Sequence, residues 1–213
     1  MKQIFILSGL GTDERVFKHI EFPGCQTTYI KWIEPLDKET LAAYAKRLTQ
    51  QITANSPVLV GLSFGGIVAT EISKLIATEK LILIASVKTR KEIPFFFRIS
   101  GKLNLHKLMP SKFFTEGSFI SNWLFGIETE SDKKLLSEIL HDTDPMFFKW
   151  AINEIVKWDN AIKAPNITHI HGTADRIFPY RFVQADHTIK NGGHFMTVNR
   201  SAEINSILKT VLY

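Results

Sequence analysis

Pro57-Val58-Leu59-Val60-Gly61-Leu62-Ser63-Phe64-Gly65-Gly66-Ile67-Val68-Ala69 is a short apolar run that stops on a glycine, presents one serine and resumes as a small-residue helical pattern. It reads as a strand, a sharp turn and a helix, with Ser63 at the tip. A serine held on so tight a turn sits in strained backbone, and the residues two before and two after it lie against neighbouring main chain. Gly61 and Gly65 therefore stand where a Cβ would clash. The bare Gly-x-Ser-x-Gly pattern arises by chance in roughly one chain in ten to twenty. The flanks give it weight: 58–60 supply the strand, and Gly66, Ala69, Ile72 and Ile76 supply a narrow helix face to pack on it.

Outward from this stretch the chain alternates strands and helices. Residues 3–7 (Gln-Ile-Phe-Ile-Leu) form a nearly continuous apolar run, as expected of a parallel strand buried on both faces, and end at Ser8-Gly9-Leu10-Gly11. A short helix is expected over 13–20, a polar edge strand over 27–33, and a helix with Leu41, Ala45, Leu48 and Ile52 on one face. A buried strand follows at 81–87. The rhythm then breaks: residues 88–159 show helical patterns and no convincing strand. Thr129-x-x-Asp132 resembles a capping box, and Asp144-Pro145 resembles an N-cap followed by proline at the first helical position. The helix after it carries Phe147, Trp150, Ala151, Ile155 and Trp158 on one stripe and Phe148, Ile152 and Val156 on another, which should bury it on two sides. Strands at 167–171 and 187–189 and a C-terminal amphipathic helix complete the pattern. The expectation is one α/β domain, 1–213, a doubly wound and mostly parallel sheet of about six strands. A helical cap is expected to be inserted at about 88–159.

Composition bounds the function. The hydrophobic fraction of 45% and charged fraction of 22% suit a soluble globular protein, and no apolar run approaches the roughly 20 residues that a bilayer span needs. The N-terminal apolar run is too short for a secretory segment and Cys25 has no partner, so the expected location is the cytoplasm. The net charge of +5 comes from one region, where Lys88, Arg90, Lys91, Arg98, Lys102, Lys107 and Lys112 face only Glu92 and Glu116. An ordinary solvated surface explains it first, and contact with anionic lipid or an acidic substrate second. No zinc spacing or nucleic-acid motif accompanies the charge, so no nucleic-acid partner is expected. Neither metal nor cofactor is expected, because Gly9-Leu10-Gly11 alone is too weak for a dinucleotide fingerprint.

A serine hydroxyl needs a base within hydrogen-bond reach and a partner to orient that base. Of the seven histidines, His194 is favoured, because Gly192-Gly193 let its loop bring an imidazole to the strand ends. His187 is the weaker rival, while His169 and His171 read as packed or loop-stabilising. Asp175 is the favoured carboxylate, after a strand and between Gly172 and Pro179. Asp142, Asp144 and Asp159 are alternatives already explained by helix capping, and the plain reading of Asp175 is a turn residue.

The 57–69 stretch resembles the nucleophile elbow of the α/β-hydrolase superfamily. His171-Gly172-Thr173-Ala174-Asp175-Arg176-Ile177-Phe178-Pro179 and Gly192-Gly193-His194-Phe195 resemble that family's acid and histidine loops, in the same order of Ser, Asp and His. The resemblance covers nearly the whole chain and implies a catalytic triad of Ser63, Asp175 and His194. It also implies an oxyanion hole of two backbone N–H groups, from Phe64 at the start of the helix and, by position after the first strand, from Leu10. The family usually has His-Gly where this chain has Ser8-Gly9. The leading expectation is a serine hydrolase acting on a small carboxylic ester or thioester. Nine phenylalanines and three tryptophans within 88–159 lean the substrate toward an apolar acyl or aromatic group, or supply the cap with a core. A lyase using the same triad, and a ligand-binding protein with a vestigial one, are the alternatives.

Overall fold

Six strands lie side by side, all parallel, in the order β2-β1-β3-β4-β5-β6. This computed structural model describes residues 1–102 and 119–213. The strands are β1 (Lys2–Leu7), β2 (Cys25–Tyr29), β3 (Val58–Leu62), β4 (Lys80–Ile84), β5 (Ile167–Gly172) and β6 (His187–Ile189). After β1 the chain steps outward to β2, then returns across β1 to place β3 on its other side. That reversal opens a crevice at the carboxyl ends of β1 and β3, the usual ligand position in an open α/β sheet.

Alternation along the strands sorts the core into two layers. Phe5, Leu7, Leu59, Leu81 and Leu83 face α1 (Leu41–Leu48), α2 (Phe64–Ile72) and a later helix, and Tyr44, Ile67, Phe147, Ala151 and Trp158 fill that side. Ile4, Ile6, Val58, Val60, Ile82 and Ile84 face the other way, against Val16, Phe17, Met196, Ile204, Leu208 and Leu212.

Between β4 and β5 run α3 (Phe95–Lys102), α4 (Phe119–Phe125), α5 (Glu130–His141) and α6 (Pro145–Lys157), with no strand among the described residues. The caps are those expected. Thr129 accepts from Asp132 N at 3.1 Å, and Asp144 accepts from Met146 N at 2.7 Å ahead of Pro145. Among the described residues these helices build no core of their own. Leu136, Ile139 and Leu140 of α5 join one layer of the main core, while Phe147, Ala151 and Ile155 of α6 join the other. Phe95 and Phe96 are exposed rather than packed, whereas Phe97 lies on the core. Lys107, Lys112, Phe113, Phe114 and Glu116 of the basic and aromatic run lie outside the described residues. After β6, α7 (Met196–Asn199) leads into α8 (Ser201–Leu212). No helix among the described residues is long and apolar enough to cross a membrane.

Four boundaries differ from expectation, each for a local reason. The helix expected over 13–20 is a single 3-10 turn, Glu14–Phe17, capped by the Asp13 side chain on Arg15 N; Pro23 and Gly24 (φ 67°) soon follow. The edge strand is shifted to Cys25–Tyr29, because beyond Ile30 side chains take over the backbone bonds: Gln51 Oε1 accepts from Lys31 N and the Tyr44 hydroxyl from Ile33 N. The first long helix ends at Leu48, and a 3-10 turn, Thr49–Gln51, carries the chain to an extended Ile52 that still packs on the core. The β4 strand stops at Ile84 because Ala85 adopts φ 46°.

Candidate active site

Ser63 stands between β3 and α2 with φ 52° and ψ −119°, a conformation costly for any residue bearing a Cβ. The turn is held by Ser63 N donating to Ile84 O at 3.0 Å and by the Ser86 hydroxyl donating to Ser63 O at 2.7 Å. The left-handed turn at Ala85 thus precedes the side chain that braces the elbow. The steric reason for the glycines is visible. A Cβ on Gly61 would lie 2.4 Å from Gly66 Cα, and one on Gly65 would lie 2.2 Å from Ser8 O and 2.3 Å from Leu7 O. Helix and strand could not approach so closely with alanine at either place.

Ser63, His194 and Asp175 are brought together at the strand ends. His194 Nε2 lies 2.8 Å from Ser63 Oγ, and His194 Nδ1 lies 2.8 Å from Asp175 Oδ2. A carboxylate only accepts, so Nδ1 carries the imidazole proton and Nε2 is free to accept from the serine hydroxyl. His194 is 5% exposed and Asp175 4%. The imidazole is walled by the rings of Phe125 and Phe178, edge-on at 5.6 and 5.8 Å. The second carboxylate oxygen, Asp175 Oδ1, accepts from Ile177 N at 2.8 Å and Phe178 N at 2.9 Å. Burial alone would raise the Asp175 pKa; the adjacent His194, with His171 and these N–H donors, outweighs it and holds the carboxyl below its ordinary range.

The rivals lie elsewhere. His169 and His171 are fully buried on β5, and His187 is half-exposed on β6. Asp142 pairs with Arg15 at 2.7 Å, Asp144 caps α6, and Asp159 pairs with Arg90.

The loop after β1 lies beside the serine, for a Cβ on Gly9 would be 3.5 Å from Ser63 Cβ. Ser8, in the place of the usual histidine, knits this loop: its hydroxyl donates to Thr12 O at 2.6 Å and accepts from Trp32 Nε1 at 3.0 Å. Thr12 Oγ1 in turn donates to Gly9 O at 3.1 Å. Leu10 is carried on this braced turn. Phe64 is the first residue of α2, so its N–H has no intrahelical acceptor and stands at the positive end of the helix. From the far side, Thr143 Oγ1 donates to Gly11 O at 3.1 Å, tying the loop to the α5–α6 junction. A cavity of about 400 Å³ adjoins this junction, lined by Gly11, Thr12, Trp32, Thr143 and Phe147. A larger groove of about 1180 Å³ between α1 and α6 contains none of Ser63, Asp175 or His194.

Sequence reasoning passed over the contacts of Trp123 and Phe125 that hold the acid and histidine loops. Phe195 N donates to Phe125 O at 2.9 Å, and Arg176 donates to Trp123 O at 2.5 Å while its guanidinium lies 4.7 Å from the centre of the Trp123 ring. Phe178 lay within the acid-loop motif, but nothing in local spacing marks Phe125 as a neighbour of the histidine or Ser86 as one of the serine.

A parallel six-stranded sheet with a strained serine at its switch point is the α/β-hydrolase fold. No family model and no curated protein matches the chain, but solved structures match it throughout. An esterase from Thermogutta terrifontis is 16% identical with a TM-score of 0.71, over 100% of this chain and 89% of that one. A bromoperoxidase from Bacillus anthracis is 17% identical with a TM-score of 0.67, over 99% and 91%. A Bacillus megaterium epoxide hydrolase is 12% identical with a TM-score of 0.67, over 100% and 93%. An esterase, a bromoperoxidase and an epoxide hydrolase are different chemistries on one fold, so the reaction has to be argued from the site.

Proposed function

We propose that this protein is a serine hydrolase that cleaves a small carboxylic ester or thioester through an acyl-enzyme. The observation that carries the reading is the unbroken pair of 2.8 Å contacts from Ser63 Oγ through His194 to Asp175, set on a strained turn of the kind that clusters at functional sites. Ser63 Oγ attacks the carbonyl carbon as its proton passes to His194 Nε2. The oxyanion develops against the N–H groups of Phe64 and Leu10. The intermediate collapses, and the departing alcohol or thiol takes the proton from His194. Water then attacks the acyl carbon, again giving its proton to His194. The carboxylic acid leaves and Ser63 regains its hydrogen. Asp175 keeps the imidazole in the required tautomer throughout.

Residues 88–159 act in this reading as the cap that chooses the substrate. The support is the contact of α4 with the histidine loop: Phe125 walls His194, and a Cβ on Gly126 would lie 3.1 Å from Gly193 Cα. Apolar walls beside the base suit an apolar acyl group.

A fluorophosphonate probe should label the parent protein at Ser63 and leave Ser63→Ala unlabelled. An activated ester should give a burst of alcohol ahead of steady turnover. Ser63→Ala activity within about tenfold of the parent, roughly 1.4 kcal/mol, would remove Ser63 as nucleophile. The burst would exclude a role for Ser63 in proton transfer alone.

A further inference from the structure

His171 is fully buried at the end of β5, immediately before the acid loop, and the hydrolytic steps above do not use it. Its Nε2 lies 2.8 Å from Phe178 O. A carbonyl only accepts, so Nε2 carries the ring proton. Nδ1 is then bare, and it has no partner among the described residues. Burial lowers the basicity of the ring, against the opposing pull of Asp175 and the Phe178 carbonyl, which agrees with a neutral imidazole in one fixed tautomer. An aliphatic side chain would fill this space without leaving a bare nitrogen, so packing alone does not account for histidine.

Phe178 is held at three points. Its carbonyl is held by His171, its N–H by Asp175 Oδ1, and its ring stands edge-on to His194. Among the described residues, His171 is the partner that the Phe178 carbonyl has. The same His171 Nε2 lies 3.7 Å from Asp175 Oδ2, too far for a hydrogen bond but near enough for the N–H dipole to favour a charged carboxylate.

We propose that His171 is a positioning residue for the triad: by clamping the Phe178 carbonyl it closes the 175–178 turn and aims the Asp175 carboxylate at His194. The proposal rests on the hydrolase reading for its catalytic consequence, and its structural content stands apart from it. The titratable groups facing His171 are Asp175 and His194 from the two loops and His169 from β5 itself, whose ring is 5.1 Å away; Lys88 acts on His169 from the segment after β4.

The test compares His171→Gln, whose amide reaches the Nε2 position, with His171→Asn, which is too short, and with His171→Phe, which keeps the bulk and has no donor. Two readouts are used. One is the low-field proton of His194 Nδ1 by NMR on the resting protein without ester. The other is the pH profile of kcat/KM. In the Asn and Phe variants the low-field signal should broaden or vanish and kcat should fall about tenfold or more, with KM within about twofold. The acid limb should move to lower pH, because a loosely held carboxylate stabilises the imidazolium less. Gln should retain the signal and stay within about threefold of the parent. If His171→Phe does not fold, the Gln and Asn pair decides. The proposal is overturned if folded Asn or Phe variants keep the signal and the acid limb unchanged, or if Gln is as damaged as Asn. Because the NMR signal needs no substrate, an active Ser63→Ala would defeat the hydrolase reading and leave this test intact.

Discussion

Asp175→Asn replaces one oxygen of the carboxylate with an NH₂ and changes almost nothing in shape, and the site dictates which way the amide must turn. Oδ1 accepts two backbone N–H groups, from Ile177 and Phe178. An NH₂ placed there would face two donors, so the amide oxygen takes that position and the NH₂ is left facing His194 Nδ1. Nδ1 must now accept, which moves the imidazole proton to Nε2, where it points at Ser63 Oγ instead of receiving its proton. The variant should therefore fold normally and lose on the order of 10⁴ in turnover, about 5.5 kcal/mol, as when a triad carboxylate is amidated in a serine protease. The assay is kcat and KM for an activated ester at neutral pH, with circular dichroism and a melting curve as the check on folding. A loss confined to KM, or a fall in kcat of less than tenfold, would refute the tautomer argument and make Asp175 a binding or turn residue.

Two further outcomes follow from the geometry. Gly65→Ala pushes a methyl group to 2.2 and 2.3 Å from main-chain oxygens of Ser8 and Leu7, which can yield only if β1 and α2 move apart. The expected loss is about 3 kcal/mol or more, roughly 6–12 °C in melting temperature for a chain of this size, and a drop under about 2 °C would show the elbow to be far more pliant than described. His169 is fully buried, and desolvation, reinforced by His171 and Lys88, outweighs a backbone contact with Ser86 and holds its pKa well below the ordinary value. The folded ring stays neutral while the unfolded chain takes up a proton below about pH 6.5, so this contribution to stability is complete above that pH and falls at about 1.4 kcal/mol per unit beneath it. His169→Phe should accordingly lose less stability than the parent between pH 7.5 and 5 in urea titrations, by at most about 2 kcal/mol, and parallel pH slopes would exclude His169 as the source.

Much of this was legible because steric demands leave marks in sequence. Gly61 and Gly65 are fixed by contacts between main-chain segments that no side chain can satisfy, and the alternation of Ile4, Phe5, Ile6 and Leu7 between two core layers is what a strand covered on both faces requires. Asp175 and His194 could be chosen because each follows a strand, with a glycine close by. Less legible were features decided by partners distant in the chain. Whether Ser8 could replace the usual histidine depended on Trp32 and Thr12, and the edge strand ended early because Gln51 and Tyr44 offered side chains to its backbone. The bracing of the elbow by Ser86 required a left-handed Ala85, which the apolar run 81–87 reads as more strand.

The way α5 and α6 are rooted has an evolutionary consequence. Their apolar faces belong to the two main layers of the protein, so swinging these helices away would expose Leu136, Ile139, Leu140, Phe147 and Ala151 together. At about 1.5–3 kcal/mol for each of the four large side chains, that is roughly 6–12 kcal/mol, comparable to the whole stability of an ordinary domain. Substitutions on those faces are therefore selected for folding first. The outward side chains of α3 and α4, such as Phe95, Phe96, Ile99 and Ile120, are exposed and answer to no such demand. Drift and selection can rewrite that outer stretch while the frame beneath it stays constant, and a laboratory library meant to change substrate preference without loss of fold should be confined to it.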